Sequence, residues 1–130
     1  MYEEVILVDE SDTAIGSMEK MEAHKKGLLH RAFSVFIFNG DGKLLLQQRA
    51  LTKYHSAGLW TNSCCSHPRP NENLLTAAKR RLFEEMGLDT ELIYKTAFVY
   101  RSSFDNGLIE HEYDHIYVGV TEKDPIINKE

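Results

Sequence analysis

Ser66-His67-Pro68-Arg69-Pro70-Asn71-Glu72-Asn73-Leu74-Leu75-Thr76-Ala77-Ala78-Lys79-Arg80-Arg81-Leu82-Phe83-Glu84-Glu85-Met86-Gly87-Leu88 is the stretch on which the fold turns. A polar, proline-punctuated segment gives way to helical periodicity. Leu74, Leu75, Ala78 and Leu82 predict one apolar face for a helix over residues 74–86. Asn71 or Asn73 offers a side-chain oxygen to cap its start, and Gly87 supplies the residue that ends it. This is the one clear helix in the chain; the sequence on either side of it reads mainly as strands.

Upstream, Val5–Val8 is a short apolar run and Ala32–Phe38 is rich in Val, Ile and Phe. Asn39-Gly40-Asp41-Gly42 then separates that run from Leu44–Arg49, a strong hairpin signal. Residues 17–26 are polar and suit a turn or short helix, and residues 52–70 suit a long loop with short ordered pieces. Downstream, Thr96–Ser103 and Leu108–Val120 are strand-like around Asp105-Asn106-Gly107. Strands on both sides of a single central helix imply an α+β fold with a mixed β-sheet flanked by helices.

The whole chain, residues 1–130, reads as a single domain without repeats or linkers. A formal net charge of −5 argues against a general nucleic-acid binder, while leaving room for a small anionic ligand. No stretch is apolar enough to span a bilayer, and the amino terminus lacks a basic, signal-like segment. Two adjacent cysteines, Cys64 and Cys65, make no disulfide framework. The expectation is a cytoplasmic protein, monomeric or homodimeric, with no nucleic-acid or membrane partner.

Glu110, Glu112 and Asp114 lie two apart in a strand-like run, about 6.6 Å between neighbours along one face. Leu108, Ile116 and Val118 share their parity. That face should therefore be partly buried, and buried carboxylates are paired or bound to metal. A bulge would turn them instead into solvated strand charges. His111 should point away from the two glutamates. Three imidazoles with two carboxylates would suit a divalent metal, with His24, His30 and His67 as candidates, whereas His55 and His115 have no obvious partner. Spacing alone does not select among them.

The stretch from Ser66 to Leu88 resembles a Nudix box: Gly, five residues, Glu, seven residues, Arg-Glu-apolar-any-Glu-Glu-any-Gly-apolar. Here the leading Gly is Ser66, and the Glu of Arg-Glu is Arg81. A cation thus replaces a carboxylate that would hold Mg²⁺, which disfavours a Nudix diphosphate hydrolase. A plain helix salt bridge between Arg81 and Glu85 is the simplest alternative use of that residue.

A narrower resemblance covers nearly the whole chain. Arg49-Ala50-Leu51-Thr52-Lys53, Gly58-Leu59-Trp60-Thr61-Asn62-Ser63-Cys64-Cys65-Ser66-His67-Pro68, Glu19-Lys20, His24 and His30, Tyr100-Arg101 and Glu110-His111-Glu112 resemble the type I isopentenyl diphosphate isomerases, a family with the Nudix fold. The resemblance implies a Nudix-like fold and conversion of isopentenyl to dimethylallyl diphosphate by metal-assisted protonation and deprotonation. It implies Cys65, two before His67, as the catalytic thiol, with Glu112 as its acid/base partner and Tyr100 assisting. It further implies that His24, His30, His67, Glu110 and Glu112 bind one divalent metal (Mn²⁺, Mg²⁺ or Zn²⁺). Glu85 would bind a second ion, Mg²⁺, bridging to the diphosphate. Lys20, Arg49, Lys53 and Arg81 would neutralise that isoprenoid diphosphate. Family members usually continue further, with an aromatic residue, commonly Trp, over the substrate. The chain is therefore expected to be C-terminally short relative to them, with Trp60 belonging to the loop motif. The alternatives are diphosphate hydrolysis, or a non-catalytic truncated domain.

Overall fold

A computed structural model of the protein describes residues 3–45, 47–48, 60–61 and 64–123. Its strands are β1 (Glu4–Val8), β2 (Ala14–Glu19), β3 (His30–Phe38), β4 (Gln47–Gln48), β5 (Trp60–Thr61), β6 (Cys64–Ser66), β7 (Ile93–Ser103) and β8 (Ile109–Val120). Its helices are α1 (Lys20–Lys26) and α2 (Leu74–Met86).

The main sheet runs β2-β1-β3-β8-β7, with β6 also paired to β3. β3 is its centre. It pairs in parallel with β8 along its whole length, from His30 opposite Glu112 to Phe38 opposite Val120. The other edge of β3 is shared: β1 meets it at His30, and β6 meets it at Phe33–Val35. Parallel and antiparallel neighbours on one strand make the sheet mixed, as expected from the sequence.

Because side chains alternate across a strand, β3 serves two layers at once. Phe33, Val35 and Ile37 face the core, where they pack with Ala77, Ala78, Leu82 and Met86 of α2 and with Cys64 and Tyr117. His30, Ala32 and Ser34 face the other way and are also buried. Burial on both faces explains why this run reads as nearly continuous apolar sequence.

α2 has the predicted bounds. Asn73, rather than Asn71, caps it by accepting from the Thr76 backbone N–H at 3.2 Å. Gly87 closes it in the left-handed conformation, φ 66°, donating to Phe83 O. The buried stripe differs from the expectation at one residue: Leu75 is exposed, and Ala77 and Met86 are buried in addition to Ala78 and Leu82. The predicted polar segment over residues 17–26 divides between the end of β2 and α1. The predicted hairpin is partial. Asn39 organises the turn, accepting from the Asp41 and Lys43 backbone N–H groups; among the described residues Phe38 and Leu44 form the one bridge across it, with the Leu45 N–H also donating to Ile37 O. Gln47–Gln48 instead pairs with Trp60–Thr61 as a separate two-stranded sheet.

Candidate active site

Three elements carry histidines to one point. His24 lies on α1, His30 opens β3 and His67 follows β6. One ligand atom from each, with one from Glu112 of β8, all lie within 4.8 Å of one another. The backbone sets the ring directions. His24 Nδ1 is 2.7 Å from Lys20 O, and His30 Nδ1 is 2.9 Å from Leu28 O. Each carbonyl fixes Nδ1 as the protonated nitrogen and leaves Nε2 with its lone pair available, an arrangement typical of metal-binding histidines. His67 Nε2 stands 3.1 Å from Glu112 Oε2, and His30 Nε2 stands 3.5 Å from the same oxygen.

His30 Nε2 is buried and has no hydrogen-bond partner among the described residues. Buried ring nitrogens are seldom left so. An orphaned nitrogen facing two imidazoles and a carboxylate fits a divalent cation held by nitrogen and oxygen donors. Burial holds the His24 pKa down at about 4 and also lowers that of His67, so both rings stay neutral and able to ligate at ordinary pH. Burial alone would raise the Glu112 pKa; the His30 and His67 rings standing beside its carboxylate outweigh that and hold it below the usual carboxylate range.

Tyr100 on β7 lies opposite Glu112 in the antiparallel register. Its hydroxyl donates to Glu112 Oε1 at 2.8 Å and also lies against Glu110 Oε1. Burial and the two carboxylates push the phenol pKa far up, so Tyr100 remains a proton donor. Glu110 thus joins the group through Tyr100, beside the four converging ligands. His111 turns to the opposite side, as expected, with Nδ1 3.0 Å from Gly27 O.

Register separates the two cysteines. β6 pairs Cys64 with Val35 and Cys65 with Ser34. Cys64 therefore faces α2, where its thiol donates to Glu85 Oε2 at 3.2 Å. Cys65 faces the side that bears Glu112, with its sulfur 3.7 Å from Ser34 Oγ. Burial, then the charges of Glu112, Asp114 and Glu110, raise the Cys65 pKa well above its ordinary value. Sulfur and carboxylates thus share one face of the sheet.

Of the cationic residues, Lys20 opens α1 and Arg81 lies on α2. Lys20 pairs with Glu3 at 2.8 Å. The Glu3 carboxyl pKa is lowered chiefly by Lys20, with smaller effects from His67 and Arg81. Arg81 bonds Glu84 at 2.6 Å and Glu85 at 3.1 Å, yet its Nε is buried without a partner among the described residues. Glu85 sits with Cys64 and Arg81 on the α2 side, apart from the histidine cluster. Arg49 and Lys53 lie outside the described residues, as does His55.

The Glu72-to-Arg80 spacing of the Nudix-box pattern gains a structural meaning. Arg80 donates to Glu72 through Nε at 2.8 Å and Nη2 at 2.9 Å, and Glu72 also accepts from the Arg69 backbone N–H. This fork ties the loop after β6, which carries His67, to the helix that carries Arg81 and Glu85.

Sequence reasoning missed Ser34. Its only signal is a small polar residue inside an apolar strand. It also left His115 without a partner; the structure supplies Asp12 Oδ2 at 2.9 Å and the Tyr94 hydroxyl at 3.1 Å. Both contacts come from distant turns and strands.

The NUDIX domain family matches residues 28–130. The chain is 58% identical over 128 residues to "Isopentenyl-diphosphate Delta-isomerase 2" of Photorhabdus laumondii, covering 98% of this chain and 72% of that protein. It is 60% identical over 125 residues to "Isopentenyl-diphosphate Delta-isomerase" of Serratia proteamaculans, covering 96% of this chain and 70% of that protein. Among solved structures, DR0079 from Deinococcus radiodurans superposes with a TM-score of 0.78 at 20% identity, over 98% of this chain and 77% of that one, a likeness of fold. No helix among the described residues is long and apolar enough to cross a membrane. A mixed sheet centred on β3, a NUDIX match from Leu28 onward and relatives this similar along nearly the whole chain place the protein in the isopentenyl-diphosphate Delta-isomerase family.

Proposed function

We propose that this chain isomerises isopentenyl diphosphate to dimethylallyl diphosphate, with Cys65 and Glu112 as the two proton-transfer groups. The reaction adds a proton to the terminal methylene carbon and removes one from the carbon nearer the diphosphate. The double bond moves inward and no proton is gained or lost overall. An unactivated alkene needs a strong, positioned acid, and the tertiary cation-like state that follows needs a base within reach. The observation that carries this reading is the register that sets Cys65, and not Cys64, on the face of Glu112.

Tyr100, bonded to Glu112, holds a proton beside that carboxylate and steers it. His24, His30, His67, Glu110 and Glu112 are the proposed holders of one divalent metal, Mn²⁺, Mg²⁺ or Zn²⁺. Bound there, it would supply positive charge that acidifies neighbouring protons. Glu85 is the proposed holder of Mg²⁺ at the diphosphate, since hard cations favour carboxylate and phosphate oxygens. Lys20, Arg49, Lys53 and Arg81 are the proposed diphosphate-neutralising residues. Arg81 Nε, which has no partner among the described residues, supports that role, because a guanidinium presents its donors as a fork to phosphate oxygens. Diphosphate binding would then hold the alkene between thiol and carboxyl.

The test is incubation of isopentenyl diphosphate with the protein and Mg²⁺ in D₂O. Deuterium-labelled dimethylallyl diphosphate is the expected product. Released phosphate would indicate hydrolysis, and binding without either product would indicate a non-catalytic domain. Cys65→Ala should abolish turnover while Cys64→Ala retains it; equal effects would overturn the choice between the cysteines.

A further inference from the structure

Asp114 and Ser34 take no part in the mechanism above, yet they form a deeply buried polar contact next to the thiol. Ser34 is 3% exposed and Asp114 is 4% exposed. The Ser34 hydroxyl lies 3.0 Å and 2.9 Å from the two Asp114 carboxylate oxygens, and 3.7 Å from Cys65 Sγ. The three residues come from β3, β8 and β6, and the backbone register holds them side by side: Ser34 opposite Cys65, and Ala32 opposite Asp114. A serine hydroxyl has one proton and two lone pairs. With its proton donated to Asp114, a lone pair remains for the Cys65 S–H. With its proton turned to the sulfur, it steadies a thiolate.

We propose that Ser34, anchored by Asp114, is a positioning residue that orients the Cys65 thiol for proton transfer. The inference rests on the reading of Cys65 as a proton-transfer group. A thiol has a freely rotating S–H and only weak hydrogen bonding of its own, so a fixed neighbour is needed to aim it. Ser34 is the neutral group that stands between the Cys65 sulfur and the Asp114 carboxyl. Both Asp114 carboxyl oxygens lie within hydrogen-bond distance of the Ser34 hydroxyl, so Asp114 fixes that hydroxyl beside the thiol.

The test compares Ser34→Ala, Asp114→Asn and Asp114→Leu with the parent and with Cys65→Ala, all loaded with the same divalent metal. Asn keeps an oxygen that accepts from Ser34, whereas Leu removes it. Ser34→Ala and Asp114→Leu should lower kcat about tenfold or more with KM within about twofold, and should raise the solvent deuterium isotope effect on kcat. Asp114→Asn should stay within about threefold of the parent. Bound metal per chain should match the parent in every variant, which separates orientation of the thiol from collapse of the site. A kcat for Ser34→Ala within twofold of the parent overturns the proposal. So does a loss that leaves the isotope effect unchanged and tracks the fraction of folded protein. If Cys65→Ala itself retains turnover, the underlying reading of Cys65 fails and this inference falls with it; if Cys65→Ala is inactive and Ser34→Ala is not, only this inference falls.

Discussion

Removing the Glu72 carboxylate should loosen the attachment between the loop after β6 and α2. In the folded chain Glu72 accepts two near-parallel bonds from Arg80, at 2.8 and 2.9 Å, and a third from the Arg69 backbone at 2.8 Å. Charge-assisted bonds of this kind contribute about 1.5–3 kcal/mol net when well formed. The two side chains are 14% and 19% exposed, so solvent screens part of the attraction. Arg80 also keeps its bond to Glu84 at 3.1 Å, so its charge is not left alone. Glu72→Ala should therefore cost about 2 kcal/mol, toward the lower part of that range. For a domain of this size that corresponds to a Tm lower by roughly 6–8 °C. The same bonds hold the Glu72 pKa below its ordinary value, Arg80 being the main cause. A carboxyl whose folded pKa is depressed stabilises fully above the unfolded pKa, about 4.3, and loses that contribution as pH falls through the folded value. The difference between parent and Glu72→Ala should thus persist at pH 7 and shrink below about pH 4. Urea unfolding of the parent, Glu72→Ala, Arg80→Ala and the double variant measures the coupling directly. A coupling under about 0.5 kcal/mol at pH 7, or a difference that does not shrink in acid, would refute the reasoning.

Three further outcomes are expected. A divalent metal added at about a hundred times its Kd should stabilise the parent by about 2.7 kcal/mol in calorimetric or urea melts, and Glu112→Gln should erase that increment; a parent whose melting is indifferent to metal would sink the histidine cluster as a metal site. Leu82→Ala, at a position 1% exposed in the core under β3, should cost about 3 kcal/mol in urea melts, and a loss below 1 kcal/mol would mean that α2 does not pack there as described. Gly27→Ala should cost about 1–2 kcal/mol, because the residue sits at φ +68° and a Cβ would meet the Ile109 side chain at 3.1 Å; a neutral effect in thermal melts would show that the turn after α1 yields freely.

Much of the site was legible before any fold was drawn. Alternation along a strand put Glu110 and Glu112 on one face and His111 on the other, and that is their arrangement, because one strand's geometry is local. Asn73 and Gly87 bound α2 as capping chemistry requires, since caps satisfy the helix's own end groups. The hairpin at Asn39–Gly42 was legible only as a turn. Asn39 shapes the reversal from its own side chain, but how far the strands pair beyond it depends on competing partners, and β3 already gives one edge to β8 and the other to β1 and β6.

By itself the sequence determined what is local or carried by motif: the α2 boundaries, the carboxylate face of β8, the set of histidines and the choice of family. Only the tertiary structure decided which of these meet. His24, His30, His67 and Glu112 come from four separate elements, and no spacing rule joins residues separated by up to most of the chain. Cys64 and Cys65 are chemically identical neighbours. What distinguishes them is the pairing of β6 with β3, which sends one thiol toward α2 and Glu85 and the other toward Ser34, Asp114 and Glu112. Ser34 is silent in sequence for the same reason: a lone hydroxyl acquires a role only when long-range strand pairing sets a sulfur on one side of it and a buried carboxylate on the other.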